Sequence, residues 1–136
     1  MAENSSNTAS GSHRSGAKRL IIMRHAEADW GLNDFDRPLT KRGHEQAAAA
    51  GAWLASRGYI PEQIMSSSAL RTRQTTTWVA DGLGSKAPTA HLDEGLYEVS
   101  AARIIARING VSENVHSLMV VSHLPGVQDA AQRLMS

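Results

Sequence analysis

The chain has 136 residues, enough for one domain with a modest core. Hydrophobic residues make up 41% and charged residues 20%, with a net charge of +1; this fits a folded globular chain and leaves no Lys/Arg tract long enough to follow nucleic acid. No apolar run approaches the roughly 18–20 residues of a membrane span, residues 1–18 lack the apolar centre of a secretory signal, and without cysteine there is neither a disulfide framework nor a thiolate zinc site, so the cytoplasm is the expected location.

Residues 1–18 are rich in Ser, Asn, Gly and Ala with no periodicity, and are expected to be a disordered tail. Leu20-Ile21-Ile22-Met23 predicts the first strand, leading into Arg24-His25. Residues 26–39 read as a polar loop with turn signals at Asn33-Asp34 and Pro38. Thr40 can cap a helix that runs to about Arg57 and stops at Gly58. Residues 64–67 predict the second strand, and a helix over 70–81 comes next, ended by Gly82 and Gly84. A short strand over 89–92 precedes a helix capped by Ser100 that reaches Asn109 and Gly110. Residues 118–122 form the last strand, and a helix begins at Gly126. The alternation predicts a three-layer α/β/α fold on a mainly parallel sheet with right-handed crossovers.

In such sheets ligands bind beyond the carboxyl ends of the strands. His25 and His123 each come directly after an apolar run, and Arg71 lies a few residues beyond the second strand. Three distant segments can therefore bring two imidazoles and two guanidiniums, from Arg24 and Arg71, to one edge. These groups suit a phosphoryl group: arginine's planar fork bonds two oxygens, and histidine can take the phosphoryl covalently. Arg71 also falls near a helix start, where backbone N–H groups favour anions. Taken singly, each piece reads equally as a strand-end histidine with a satisfied hydrogen bond, or as a solvated arginine. Glu94, Glu98 and Glu27 are candidate proton donors, with Tyr97 nearby. A phosphohistidine needs such a donor less than an ester does, because imidazole leaves more readily than an alkoxide. No histidine pair has the spacing of a metal site, so no metal is expected.

Together these pieces resemble the histidine phosphatase, or phosphoglycerate mutase-like, superfamily, and within it the SixA-type phosphohistidine phosphatases. Arg24-His25-Ala26 is similar to the signature Arg-His-Gly. Residues Asp34 to Gly43 resemble the pattern Asp-x-x-Arg-Pro-Leu-Thr-x-x-Gly. Residues Ser66 to Thr75 resemble Ser-Ser-Pro-Leu-x-Arg-Ala-x-Gln-Thr, and Ser122-His123-Leu124-Pro125-Gly126 resembles Gly-His-Asn-Pro-Gly, with Ser and Leu for Gly and Asn. Leu96-Tyr97-Glu98 also resembles this branch.

The resemblance covers about residues 19–135 and implies a histidine phosphatase domain over 19–136. It implies that His25 is the nucleophile that becomes phosphorylated, that Arg24, Arg71 and His123 form the phosphate pocket, and that water hydrolyses the phosphoenzyme with no cofactor. Arg37 is expected at the pocket rim. The expected substrate is a phosphorylated signalling or phosphotransfer protein, since the 26–39 loop is short and leaves the pocket open. A small phosphate ester is the alternative, and a non-catalytic phosphate-binding module a further one. No nucleic acid or membrane partner is expected. The superfamily normally continues past the helix in which this chain stops, so the fold is expected to be shortened at its C-terminus, with a sheet edge free to pair.

Overall fold

The computed structural model describes residues 2–3, 18–31 and 33–136. The elements in chain order are β1 (Ala2–Glu3), β2 (Arg19–Arg24), α1 (Lys41–Ser56), β3 (Gln63–Ser67), α2 (Leu70–Leu83), β4 (Ala90–Asp93), α3 (Ala101–Asn109), β5 (Ser117–Ser122) and α4 (Gly126–Met135), with short 3-10 turns at Asp34–Asp36 and Glu94–Leu96. The sheet order is β1-β2-β5-β3-β4. The four strands from β2 to β4 are parallel, and β1 pairs antiparallel with β2 through Ala2↔Leu20 and Glu3↔Arg19. β1 lies within the stretch expected to be a disordered tail; residues 4–17 of that stretch lie outside the described residues.

The apolar runs are continuous because the central strands are covered on both faces. In β5, Met119 and Val121 face a core with Ile21, Ile64, Ala47, Leu54 and Val79, packed under α1 and α2. Leu118 and Val120 face the opposite core, with Met65, Ile104, Val127 and Ala130, under α3 and α4. This alternation along one strand makes the three layers.

Local chemistry sets the helix starts. Thr40 Oγ1 accepts the Gly43 N–H at 2.9 Å, and Ser100 Oγ accepts the Arg103 N–H at 3.3 Å. After α1, Gly58 takes a left-handed φ of +73°. Gly82 does not end α2, contrary to the sequence expectation; the helix runs through it to Leu83. Its role is close packing. A Cβ on Gly82 would lie 2.1 Å from the Ala48 carbonyl oxygen, and one on Gly51 would lie 2.1 Å from that of Val79. The two glycines let the backbones of α1 and α2 touch.

The 26–39 segment is more ordered than a polar loop implies. Ala28 bridges Leu39 antiparallel, the Asp29 N–H donates to the Pro38 carbonyl at 2.8 Å, and Asn33 Oδ1 caps the turn by accepting the Asp36 N–H at 3.1 Å. None of the described helices is long and apolar enough to cross a membrane.

Candidate active site

β2, β5 and β3 are adjacent, so the residues just beyond each strand converge at the carboxyl ends. Arg24 pairs with Ser122, and His25 and His123 come next on the two strands. Their rings lie 5.5 Å apart, centroid to centroid. Arg71 arrives from β3 by way of the first turn of α2. The structure thus brings His25, His123 and Arg71 together, and leaves Arg24 on the exposed strand end beside His25.

His25 is held in one tautomer. Its Nδ1 lies 2.7 Å from the Ala26 carbonyl, which can only accept, so Nδ1 carries the proton and Nε2 keeps its lone pair. The Ala26 N–H donates to Thr75 Oγ1 at 3.0 Å, and that hydroxyl donates to the Arg71 carbonyl at 2.7 Å. One threonine therefore ties the turn after His25 to the helix that carries Arg71. Burial lowers the His25 pKa below 6.5, and the cations Arg71, Arg24 and Arg37 act in the same direction against a partial offset from the Ala26 carbonyl. His123 is lowered further, to about 4, first by burial and then by Arg71 and His25. Both imidazoles are neutral near pH 7.

His123 Nε2 is 2.8 Å from Ser67 Oγ, and that hydroxyl oxygen accepts the Ala69 N–H at 3.3 Å. Ser122, which stands where the resemblance has glycine, points away from this contact and donates to the Leu96 carbonyl at 2.6 Å. Leu124, in place of asparagine, is exposed. Two buried polar atoms of the site have no partner among the described residues: His123 Nδ1 and Arg71 Nε.

Arg71 is only 2% exposed, although an arginine near a helix start could equally have been solvated. Its Nη1 donates to the Asp34 carbonyl at 2.6 Å, and its Nη2 donates to Asp34 Oδ2 at 3.0 Å and to Glu98 Oε2 at 3.1 Å. The Tyr97 hydroxyl donates to the same Asp34 oxygen, and the Tyr97 ring packs edge-on against His123. That hydrogen bond, with Arg71 and Arg37 adding to it, holds the Asp34 pKa down to about 2; the same bond, with burial adding to it and Arg71 opposing it, pushes Tyr97 up to about 12. Glu98 sits in the left-handed region at φ +48°. The 26–39 segment thus takes part in the site, because Asp34 reaches onto Arg71.

Of the other candidates, Arg37 donates to the Asp29 carbonyl at 3.0 Å, pairs with Asp34 and lies against the Trp30 ring. Glu27 accepts from Thr40 Oγ1 at 2.8 Å and pairs with Arg42, at the start of α1. The Glu94 side chain has no hydrogen bond or ion pair among the described residues, whereas Glu98 has Arg71. Sequence reasoning assigned no role to Asp34, Ser67 or Thr75. The signal was there, since all three fall inside the motifs that carry the family resemblance. Among the described residues no group of three or more His, Asp or Glu could hold a metal ion.

The sequence model of the histidine phosphatase superfamily (branch 1) matches residues 20–123, which include His25, Arg71 and His123. The chain belongs to this superfamily. An uncharacterised protein of Mycobacterium tuberculosis is 39% identical over 105 residues, covering 76% of this chain and 63% of that one. An uncharacterised chloroplastic protein of Arabidopsis thaliana is 32% identical over 131 residues, covering 87% and 59%. This histidine phosphatase chain thus spans about three fifths of the length of those relatives. Among solved structures, a protein of Agrobacterium tumefaciens assigned as the phosphohistidine phosphatase SixA superposes with a TM-score of 0.79 at 29% identity, covering 87% of this chain and 77% of that one. A protein histidine phosphatase SixA in complex with tungstate gives 0.77 at 30% identity, covering 85% and 75%.

Proposed function

We propose that this chain is a phosphatase that works through a covalent phosphohistidine on His25, and that its substrate is itself a phosphohistidine on a signalling or phosphotransfer protein. The observation that carries the reading is the Nδ1–H to Ala26 carbonyl bond, which leaves His25 Nε2 unprotonated beside His123 and a buried arginine. Nε2 attacks phosphorus, the P–Nε2 bond forms, and the bond from phosphorus to the substrate imidazole breaks; that imidazole takes its proton from solvent. Water then attacks phosphorus, the P–Nε2 bond breaks, and inorganic phosphate leaves as the water gives up its proton. Arg71 and Arg24 stabilise charge on the phosphoryl oxygens, and His123, with Nε2 accepting the Ser67 hydroxyl, donates its Nδ1–H to one of them.

The preference for a phosphoramidate rests on the acids present. Asp34, with a pKa near 2, is ionised, and Tyr97, near 12, shares its proton with Asp34, so neither supplies a proton to an alkoxide. The second reading, a small-molecule phosphomonoesterase, needs a proton donor, and of the candidates Glu94 and Glu98 only Glu98 makes a side-chain contact with a pocket residue, Arg71, among the described residues. The deciding experiment measures phosphate release from a phosphohistidine-bearing protein and from an aryl phosphate, for wild type and His25→Ala. Rapid loss of phosphohistidine with slow ester hydrolysis, both abolished in the variant, is expected. Fast ester turnover that drops in Glu98→Gln favours the second reading, and release from neither substrate refutes both.

A further inference from the structure

The guanidinium of Arg71 can grip two oxygens of an anion along two edges. One edge uses Nη1 and Nη2, the other uses Nε and Nη2. Asp34 occupies the first as a fork, its carbonyl on Nη1 and its Oδ2 on Nη2. Glu98 Oε2 also bonds Nη2; with the fork on the first edge filled by Asp34, the hydrogen left to it is the one on the Nε side, and Nε itself is buried with no partner among the described residues. A phosphoryl group bound by two hydrogen bonds must therefore displace one of the two carboxylates.

The two are not held alike. Asp34 also receives the Tyr97 hydroxyl, an ion pair from Arg37 and the Arg37 N–H on its carbonyl, so with the two Arg71 bonds five contacts fix it. Among the described residues the Glu98 carboxylate bonds only Arg71, its side chain is 51% exposed, and its backbone is left-handed. Its neighbour on the guanidinium, Nε, is the one Arg71 nitrogen with no partner among the described residues.

We propose that Glu98 holds the phosphoryl-binding edge of Arg71 in the empty site and that the substrate phosphoryl displaces it, while Asp34 keeps the opposite edge and orients the guanidinium. Glu98 is then a specificity-determining residue. It excludes singly charged anions that bind Arg71 no better than a tethered carboxylate, and it yields to a doubly charged phosphoryl group. This rests on the proposed phosphoryl pocket and assigns its two carboxylates opposite parts.

The test is calorimetric titration of the whole chain with tungstate, for wild type, Glu98→Gln, Glu98→Gly and Asp34→Asn. Glycine takes φ +48° without strain, so Glu98→Gly removes the side chain and leaves the turn intact. Each variant removes one negative charge beside Arg71, so a general electrostatic gain appears in all three. The expected result is a gain of about tenfold or more in both Glu98 variants, clearly exceeding that in Asp34→Asn. Acetate should compete with tungstate in Glu98→Gly and not in wild type, because a free carboxylate can refill the vacated edge. An Asp34→Asn gain equal to or above the Glu98 gains overturns the assignment and leaves the phosphoryl pocket standing. Tungstate binding by none of the four proteins overturns the pocket as well.

Discussion

Replacing Gly82 by alanine sets helix propensity against close packing. Alanine in a helix interior is favoured over glycine by about 1 kcal/mol. At Gly82 the added Cβ would sit 2.1 Å from the Ala48 carbonyl oxygen and 2.7 Å from the Ala52 nitrogen. Both are backbone atoms of α1, which cannot swing aside as a flexible side chain can. Relief requires α1 and α2 to separate by about 1 Å, loosening the contacts of Ala47, Leu54, Val79 and Leu83 that close one core. Overpacking costs typically 1–3 kcal/mol, and a clash this deep belongs at or above the top of that range. The net expectation is destabilisation of about 2 kcal/mol, or a fall in Tm of roughly 10 °C for a domain of this size. Circular dichroism melts of wild type and Gly82→Ala measure it. Gly58→Ala, whose Cβ would meet nothing within 4 Å, is the control and should cost only its left-handed φ, about 1 kcal/mol. Since α2 carries Arg71 in its first turn, tungstate affinity should fall with the Tm. An unchanged or raised Tm would mean that propensity wins and that the helix contact is looser than described.

Ser67→Ala leaves both nitrogens of a buried imidazole without partners and should cost about 1–3 kcal/mol in urea unfolding, together with a loss of phosphohistidine hydrolysis; unaltered stability would show that Ser67 does not support His123. His123 has a folded pKa of about 4 against 6.5 unfolded, so the unfolded chain binds the proton first. Its contribution is fully present above pH 6.5 and is lost as pH falls towards 4, by at most about 3 kcal/mol; urea titrations from pH 7 to 4 should show this slope, and His123→Gln should flatten it. The lowered His25 places the acid limb of activity below pH 6.5, which NMR titration of its imidazole can check. Thr40→Ala removes the cap of α1 and an acceptor contact of Glu27 and should cost about 1 kcal/mol; a melt matching wild type would show that water replaces the cap.

What the sequence made readable was set by neighbours in the chain. Thr40 and Ser100 announce helix starts because a cap bonds three residues on. The apolar runs of β2 and β5 announce strands covered on both faces. Gly82 reads as a terminator, yet the reason for glycine there is a carbonyl on another helix. The convergence of His25, His123 and Arg71 was foreseeable from strand ends, but the burial of Arg71 and the grip of Asp34 and Glu98 were not. Those contacts join residues 37 and 27 positions apart, and no local pattern encodes the pairing.

The order β2-β5-β3 has a consequence for synthesis. The strands that deliver His25 and Arg71 do not touch each other; β5, which lies between them, is translated after both. A nascent chain that ends before Ser117 holds the nucleophile and the arginine on two strands with a gap between them. Histidine and guanidinium are not brought together until β5 slots in like a keystone, a long-range closure of the kind that makes folding slow. Interrupted translation products should therefore be unable to capture a phosphoryl group, and chemical competence should arrive in one late step.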